Sequence, residues 1–128
     1  MRGFSNKIKS FLAQVGASDD QRIAMVPKSD SCGRPGDILF FRYKLGVGKG
    51  SRGFRILLLT EPITKQAGTG NLLMTGFKVP ENGTYTPQSL ESLYINRELP
   101  ENGYRTYIMS NIFGPLRKIS KKPPEEIK

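Results

Sequence analysis

Between Tyr43 and Arg55 the chain reads YKLGVGKGSRGFR, four glycines and four basic residues in thirteen positions. Gly48, Gly50 and Gly53 fit G-x-G-x-x-G. In a strand–loop–helix unit that spacing lets backbone amides and a helix N-terminus hold a pyrophosphate. Here the stretch runs into FRILLLTE, residues 54–61, which reads as a strand, so the helix that such a site needs is missing. A triphosphate loop of the form G-x-x-x-x-G-K-[ST] fails as well, because Lys49 is followed by Gly50. A kinase-type glycine loop does lie between two strands, but no V-A-I-K, H-R-D or D-F-G segment follows. Strand, glycine-rich turn, strand is instead a β-hairpin. Its glycines supply positive-φ turns. Lys49 and Arg52 then project from the tip, and Arg42, Lys44 and Arg55 sit on the stems. The hairpin is a basic finger suited to phosphate contact by side chains and glycine amides. The plainer reading is a solvated loop.

A second basic cluster comprises Arg105, Arg117, Lys118, Lys121 and Lys122, with Tyr104 and Tyr107 beside it. Aromatic rings interleaved with cations suit single-stranded nucleic acid, where rings stack on bases and charge follows the backbone. Alternation along YRTYIM puts Tyr104 and Thr106 on one face and Arg105 and Tyr107 on the other. The Arg105–Tyr107 face is read as the functional one; the competing reading makes one of the tyrosines core. The candidate contacts are therefore Arg42, Lys49, Arg52, Arg55, Arg105 and Tyr107, with Lys118, Lys121 and Lys122 adding charge.

Composition narrows the chemistry. The 128 residues include 20 Lys+Arg against 11 Asp+Glu, a net charge of +9 that favours polyanionic partners, nucleic acid first. There is no histidine, which excludes Ser-His-Asp and Cys-His catalysis. Cys32 is the single cysteine, so no internal disulfide forms and no His/Cys metal site can be built. Asp19, Asp20, Asp30, Asp37, Glu61, Glu91 and Glu98 show no spacing that suits acid–base work. The expectation is a non-enzymatic protein without a cofactor. No apolar run approaches the roughly 18–20 residues of a membrane span. No continuous apolar stretch of the secretory type follows Arg2 and Lys7. The reading is a soluble, cytoplasmic protein with no membrane partner.

The elements that must position these residues are legible in outline. Phe4, Ile8, Phe11, Leu12 and Val15 form one helical stripe, an N-terminal amphipathic helix within residues 1–16. Residues 17–36 read as a loop with a short extended piece at Ile23–Val26. DILFFRYK, residues 37–44, is apolar on both faces and reads as a buried strand. NLLMTGFKV, residues 71–79, is a third strand with Gly76 as a candidate bulge. Leu90, Leu93 and Tyr94 mark a short helix within Pro87–Arg97. YRTYIM, residues 104–109, is a fourth strand. SNIFGPLRKI closes the fold through a tight turn at Gly114-Pro115 and a last short strand, before a flexible tail over 120–128. The expected fold is mainly β with short helices: a bent sheet or barrel of SH3-like or Sm-like type over residues 37–119.

The succession DILFFRY, hairpin, FRILLLTEP, GNLLMTGFKV, YRTYIMSNIFGPLRKI resembles the WYL domain, an Sm/SH3-like barrel of bacterial and phage regulators, over about residues 36–119. Arg55 and Pro62 stand where that family's second strand has Arg and Pro. Arg105 and Ile112 stand where its closing segment has Arg and Ile. The name-giving Trp-Tyr-Leu is replaced by Asn71-Leu72-Leu73, a departure from the pattern at the residues tied to the family's ligand sensing. The resemblance implies binding of nucleic acid or nucleotide ligands, with Arg55 and Arg105 as the transferable contacts. Two functions are in view: a protein for single-stranded nucleic acid or RNA, or an interaction or virion-assembly module that docks on an acidic protein partner through residues 4–15.

Overall fold

The computed structural model describes residues 21–44, 53–80 and 85–121. The helix expected over residues 4–15, the hairpin tip with Lys49 and Arg52, and Lys122 lie outside these residues. The described chain forms strands β1 (Gln21–Val26), β2 (Ile38–Tyr43), β3 (Phe54–Leu59), β4 (Thr64–Lys65) and β5 (Leu72–Lys78), helix α1 (Pro87–Ile95), then β6 (Tyr104–Ile108) and β7 (Ile112–Lys121). All pairings are antiparallel, in the order β1-β7-β2-β3-β5-β4, with β6 on the other side of β5. The architecture is a curled antiparallel half-barrel with one short α-helix among the described residues.

Curling follows from side-chain demand on β2. Ile38, Leu39, Phe40 and Phe41 are buried consecutively, and consecutive residues point to opposite faces of a strand. Both faces therefore need cover. On the outer face Ile38, Phe40, Ile56, Leu58, Phe77, Val79, Leu90 and Ile119 form one cluster, capped by α1 through Leu90. On the inner face Leu39, Phe41, Tyr43, Leu57, Leu59, Met74, Tyr107, Met109, Ile112, Leu116 and Cys32 form the other. The inner cluster is enclosed because the sheet bends back on itself. The Tyr43 hydroxyl accepts a 3.0 Å bond from the Ile108 amide, and the Lys44 amide donates to the Asn111 carbonyl at 3.1 Å.

Helix α1 is held at both ends by local chemistry. Thr86 accepts from the Ser89 amide while the Ser89 hydroxyl accepts from the Thr86 amide, a reciprocal cap reinforced by Pro87 in the first turn. At the C-terminus Arg97 adopts φ 59°, and the Arg97 and Glu98 amides donate to Tyr94 and Leu93 carbonyls. That is a Schellman end with arginine at the left-handed position where glycine is least strained.

Three expectations are corrected. The extended piece at Ile23–Val26 is a six-residue strand inside the segment read as loop, because β7 is long enough to pair with it from Gln21 to Val26. Gly114-Pro115 is not a turn between strands: it is a bulge within the continuous β7, where Arg117 pairs with Phe40 and Phe113 with Arg42. Gly114 takes φ 77° to make that bulge. Gly76 is not bulged. It pairs in register with Leu59 and Arg105, and a Cβ there would run into the Leu58 backbone.

Gly76→Ala is therefore expected to lose about 1–3 kcal/mol, the usual cost of overpacking, measured by urea unfolding. A change under about 0.5 kcal/mol, the range of an indifferent surface site, contradicts the close approach.

Candidate nucleic-acid interface

Strand register decides which basic residues meet. Phe113, Arg42 and Phe54 pair across β7, β2 and β3 and form one row on the outer face. The Arg42 guanidinium carbon lies 4.6 Å from the Phe113 ring centroid and 5.9 Å from that of Phe54. One pairing along β2, Arg117 sits 5.9 Å over the Phe40 ring. Arg42, Phe54, Phe113 and Arg117 are all half-buried. Each cation–ring contact contributes roughly 0.5–2 kcal/mol, more as water is excluded. Among the described residues no carboxylate pairs with Arg42. Its planar fork is thus held by hydrocarbon rather than by a counter-charge. Such a fork keeps its capacity for a phosphate.

The other candidate residues among the described ones do not join this row. Arg55 pairs with Phe41 and lies on the inner side, where its Nη1 donates to the Phe54 carbonyl at 3.2 Å and its guanidinium hydrogen-bonds Tyr107. Arg105 is exposed, but its Nη1 turns back to the carbonyls of Asn102 (3.0 Å) and Tyr104 (2.7 Å). Lys118 pairs with Leu39 and lies 3.6 Å from the Asp37 carboxylate. Lys121 ends β7 opposite Gln21.

Tyr107 is a core residue, not a stacking platform. It is 6% exposed, with its ring edge-on to Tyr43 (4.8 Å) and Phe41 (5.5 Å). Alternation along β6 was legible, but Tyr104, Arg105 and Thr106 are all exposed, so alternation alone could not say which face of β6 packs inward. The exposed tyrosine is Tyr104, at 39%. Phe54 and Phe113 escaped the sequence reading because nothing in their spacing links them. Only the docking of β7 and β3 on the two sides of β2 puts both beside Arg42.

No family model, curated protein or solved structure matches the chain. Among the described residues no group of three His, Cys, Asp or Glu converges as a metal site. No helix of the described residues is long and apolar enough to cross a membrane.

Burial pushes the Tyr107 phenol above its ordinary 10.0, opposed by the nearby charges of Arg55 and Arg105. Burial likewise raises the Cys32 thiol above 9.0. Both groups hold their protons more tightly folded than unfolded. The stability they contribute is present in full below pH 9.0–10.0 and falls as the pH rises through the folded values. Urea unfolding from pH 8 to 11 is expected to show that decline. Tyr107→Phe should flatten it, while losing about 0.5–1.5 kcal/mol at pH 7 with the Arg55 bond. An identical alkaline decline in the variant contradicts the assignment.

Proposed function

We propose that this is a non-enzymatic nucleic-acid-binding protein for single-stranded nucleic acid or RNA, on a sheet of SH3-like or Sm-like type. The observation that carries the reading is Arg42 seated between Phe113 and Phe54 on one sheet face, with Arg117 beside it. A guanidinium flanked by rings combines backbone charge neutralisation with surfaces on which unpaired bases stack. Duplex bases are already stacked on one another and gain nothing from such rings. Arg42 ends β2 and Phe54 begins β3, so the segment between them in the sequence is the one that carries Lys49 and Arg52. The net charge of +9 adds long-range attraction. Lys118, Lys121 and Lys122 add to that field. Arg55 and Arg105, the positions matched to the WYL domain, act in this reading as supports of the inner core and of β6.

Fluorescence anisotropy with labelled single-stranded DNA, RNA and duplex DNA, at low and near-physiological salt, is the test. Single strands are expected to bind more tightly than duplex. The affinity should fall with salt at a log–log slope of about −0.7 per phosphate engaged. Arg42→Ala should weaken single-strand binding about 10-fold, equivalent to about 1.4 kcal/mol. Phe113→Ala should do so by a similar factor, since a stacked base contributes roughly 1–3 kcal/mol. Equal affinity for duplex and single strand, or unchanged affinity in Arg42→Ala, contradicts the reading.

A further inference from the structure

Among the described residues Met25, Ile95 and Tyr104 are the large apolar side chains left exposed, and the last two meet at one place. Ile95, 67% exposed, and Tyr104, 39% exposed, line a groove of about 500 Å³ with Tyr94, Leu99, Thr60 and Arg97. Ile95 ends α1 and Tyr104 opens β6. Tyr94 and Leu99 also pack on the outer-face cluster, so the groove is continuous with the core. Contiguous exposed apolar surface of this kind marks docking sites, whereas single exposed residues such as Met25 do not.

The charge around this groove opposes that of the chain. Six carboxylates lie among the described residues: Asp30, Asp37, Glu61, Glu91, Glu98 and Glu101. Four of them belong to this corner. Glu61 follows Thr60, Glu91 stands one helical turn before Ile95, and Glu98 and Glu101 bracket Leu99 and Pro100. Glu61, Glu98 and Glu101 are exposed, and no cation pairs with them among the described residues. Arg97 supplies a cation in the lining. In a chain of net charge +9, an apolar groove rimmed by carboxylates fits a basic amphipathic occupant.

The chain itself carries such an occupant. Residues 4–15 hold the stripe of Phe4, Ile8, Phe11, Leu12 and Val15, flanked by Lys7 and Lys9, and no carboxylate occurs before Asp19. Register brings the tether of this segment to the groove. β1 starts at Gln21 opposite Lys121, and two residues back along β7 Ile119 pairs with Ile38. Two residues before Ile38, the Gly36 amide donates to the Leu59 carbonyl at 2.8 Å, and a Cβ on Gly36 would lie 3.3 Å from the Tyr94 ring. Gln21, Gly36 and Tyr94 thus share one end of the sheet. From β1 across β7 and β2 to β3 is three strand spacings, about 14 Å. Residues 16–20 bridge up to about 20 Å. We propose that residues 4–15 dock as an amphipathic helix in the groove at the end of α1 of the same chain. The apolar stripe covers Ile95, Leu99 and Tyr104, and Lys7 and Lys9 face the glutamates. The segment is then a clasp on its own fold rather than an arm for another protein. This inference is independent of the nucleic-acid reading.

The test places a nitroxide on the full chain through Ser10→Cys, on the polar side of the segment; Cys32 is 1% exposed and stays unlabelled. Amide NMR signals of Ile95, Arg97, Leu99 and Tyr104 are expected to lose most of their intensity. Those of Arg42, Phe54 and Phe113, at the other end of the sheet, should keep theirs. Ile95→Lys, at an exposed position where a helix end favours a cation, removes the apolar anchor and sets like charges together. It should restore the groove signals, with dispersed strand signals verifying the fold. A mixture of spin-labelled chain with isotopically enriched, label-free chain tests for a second copy, and there the groove signals should stay intact. Full-intensity groove signals in the labelled chain, loss of them in the mixture, or loss that persists in Ile95→Lys overturns the proposal.

Discussion

Strand β2 must be covered on two sides at once. Ile38, Leu39, Phe40 and Phe41 are each at most 5% exposed, and each large apolar side chain gains roughly 1.5–3 kcal/mol from that burial. A flat sheet with one wet face would forfeit half of it. The chain meets the demand by laying α1 on one face and bending the sheet around the other. Pairing by β7 and β3 on the two edges of β2 then also satisfies its backbone groups. The short cap of α1, the left-handed turn at Arg97 and the bulge at Gly114 serve this double cover.

The same constraint sorts the cations. Where both sheet faces are apolar, a basic residue on a strand can project only at the ends of the rows or alongside rings that tolerate it. Arg42 takes the second course, between Phe113 and Phe54, past the outer-face cluster that Phe54 borders. Arg55, of opposite parity, is committed to the inner side and to Tyr107. Lys118 is committed to Asp37. Among the described residues the outer face thus gathers Arg42 and Arg117 beside the Phe54, Phe113 and Phe40 rings. That convergence, rather than the charge itself, gives a reason to expect single-stranded ligands.

Much of this fold is legible in the residues. ILFFRY announces a strand buried on both sides, and FRILLL announces its neighbour. Leu90, Leu93 and Tyr94 within Pro87–Arg97 mark the stripe of α1. What stays hidden depends on partners remote in sequence. β1 looks too polar to be more than a fragment until β7 pairs with it along its whole length. Gly114-Pro115 carries ordinary turn chemistry, yet strand pairing on both sides of it turns a corner into a bulge. Alternation sets Tyr104 and Tyr107 on opposite faces without saying which packs inward, and the curl of the sheet makes Tyr107 core. Arg42 was visible as a stem residue of a basic hairpin. Its two rings were not, because Phe54 is twelve positions away and Phe113 seventy-one. The Gly48–Gly53 spacing, the loudest motif in the sequence, is set aside by the strand that follows it.

The proposed interface requires nucleic acid to engage the outer row and not the inner cations. Arginine side-chain resonances of the isotopically labelled protein, followed by NMR during titration with a short single-stranded oligonucleotide, test it directly. The Arg42 and Arg117 guanidinium signals, with the Phe54 and Phe113 rings, are expected to shift together while Arg55 stays in place. Shifts centred on Arg55 and Arg105 with a silent Arg42 would contradict it.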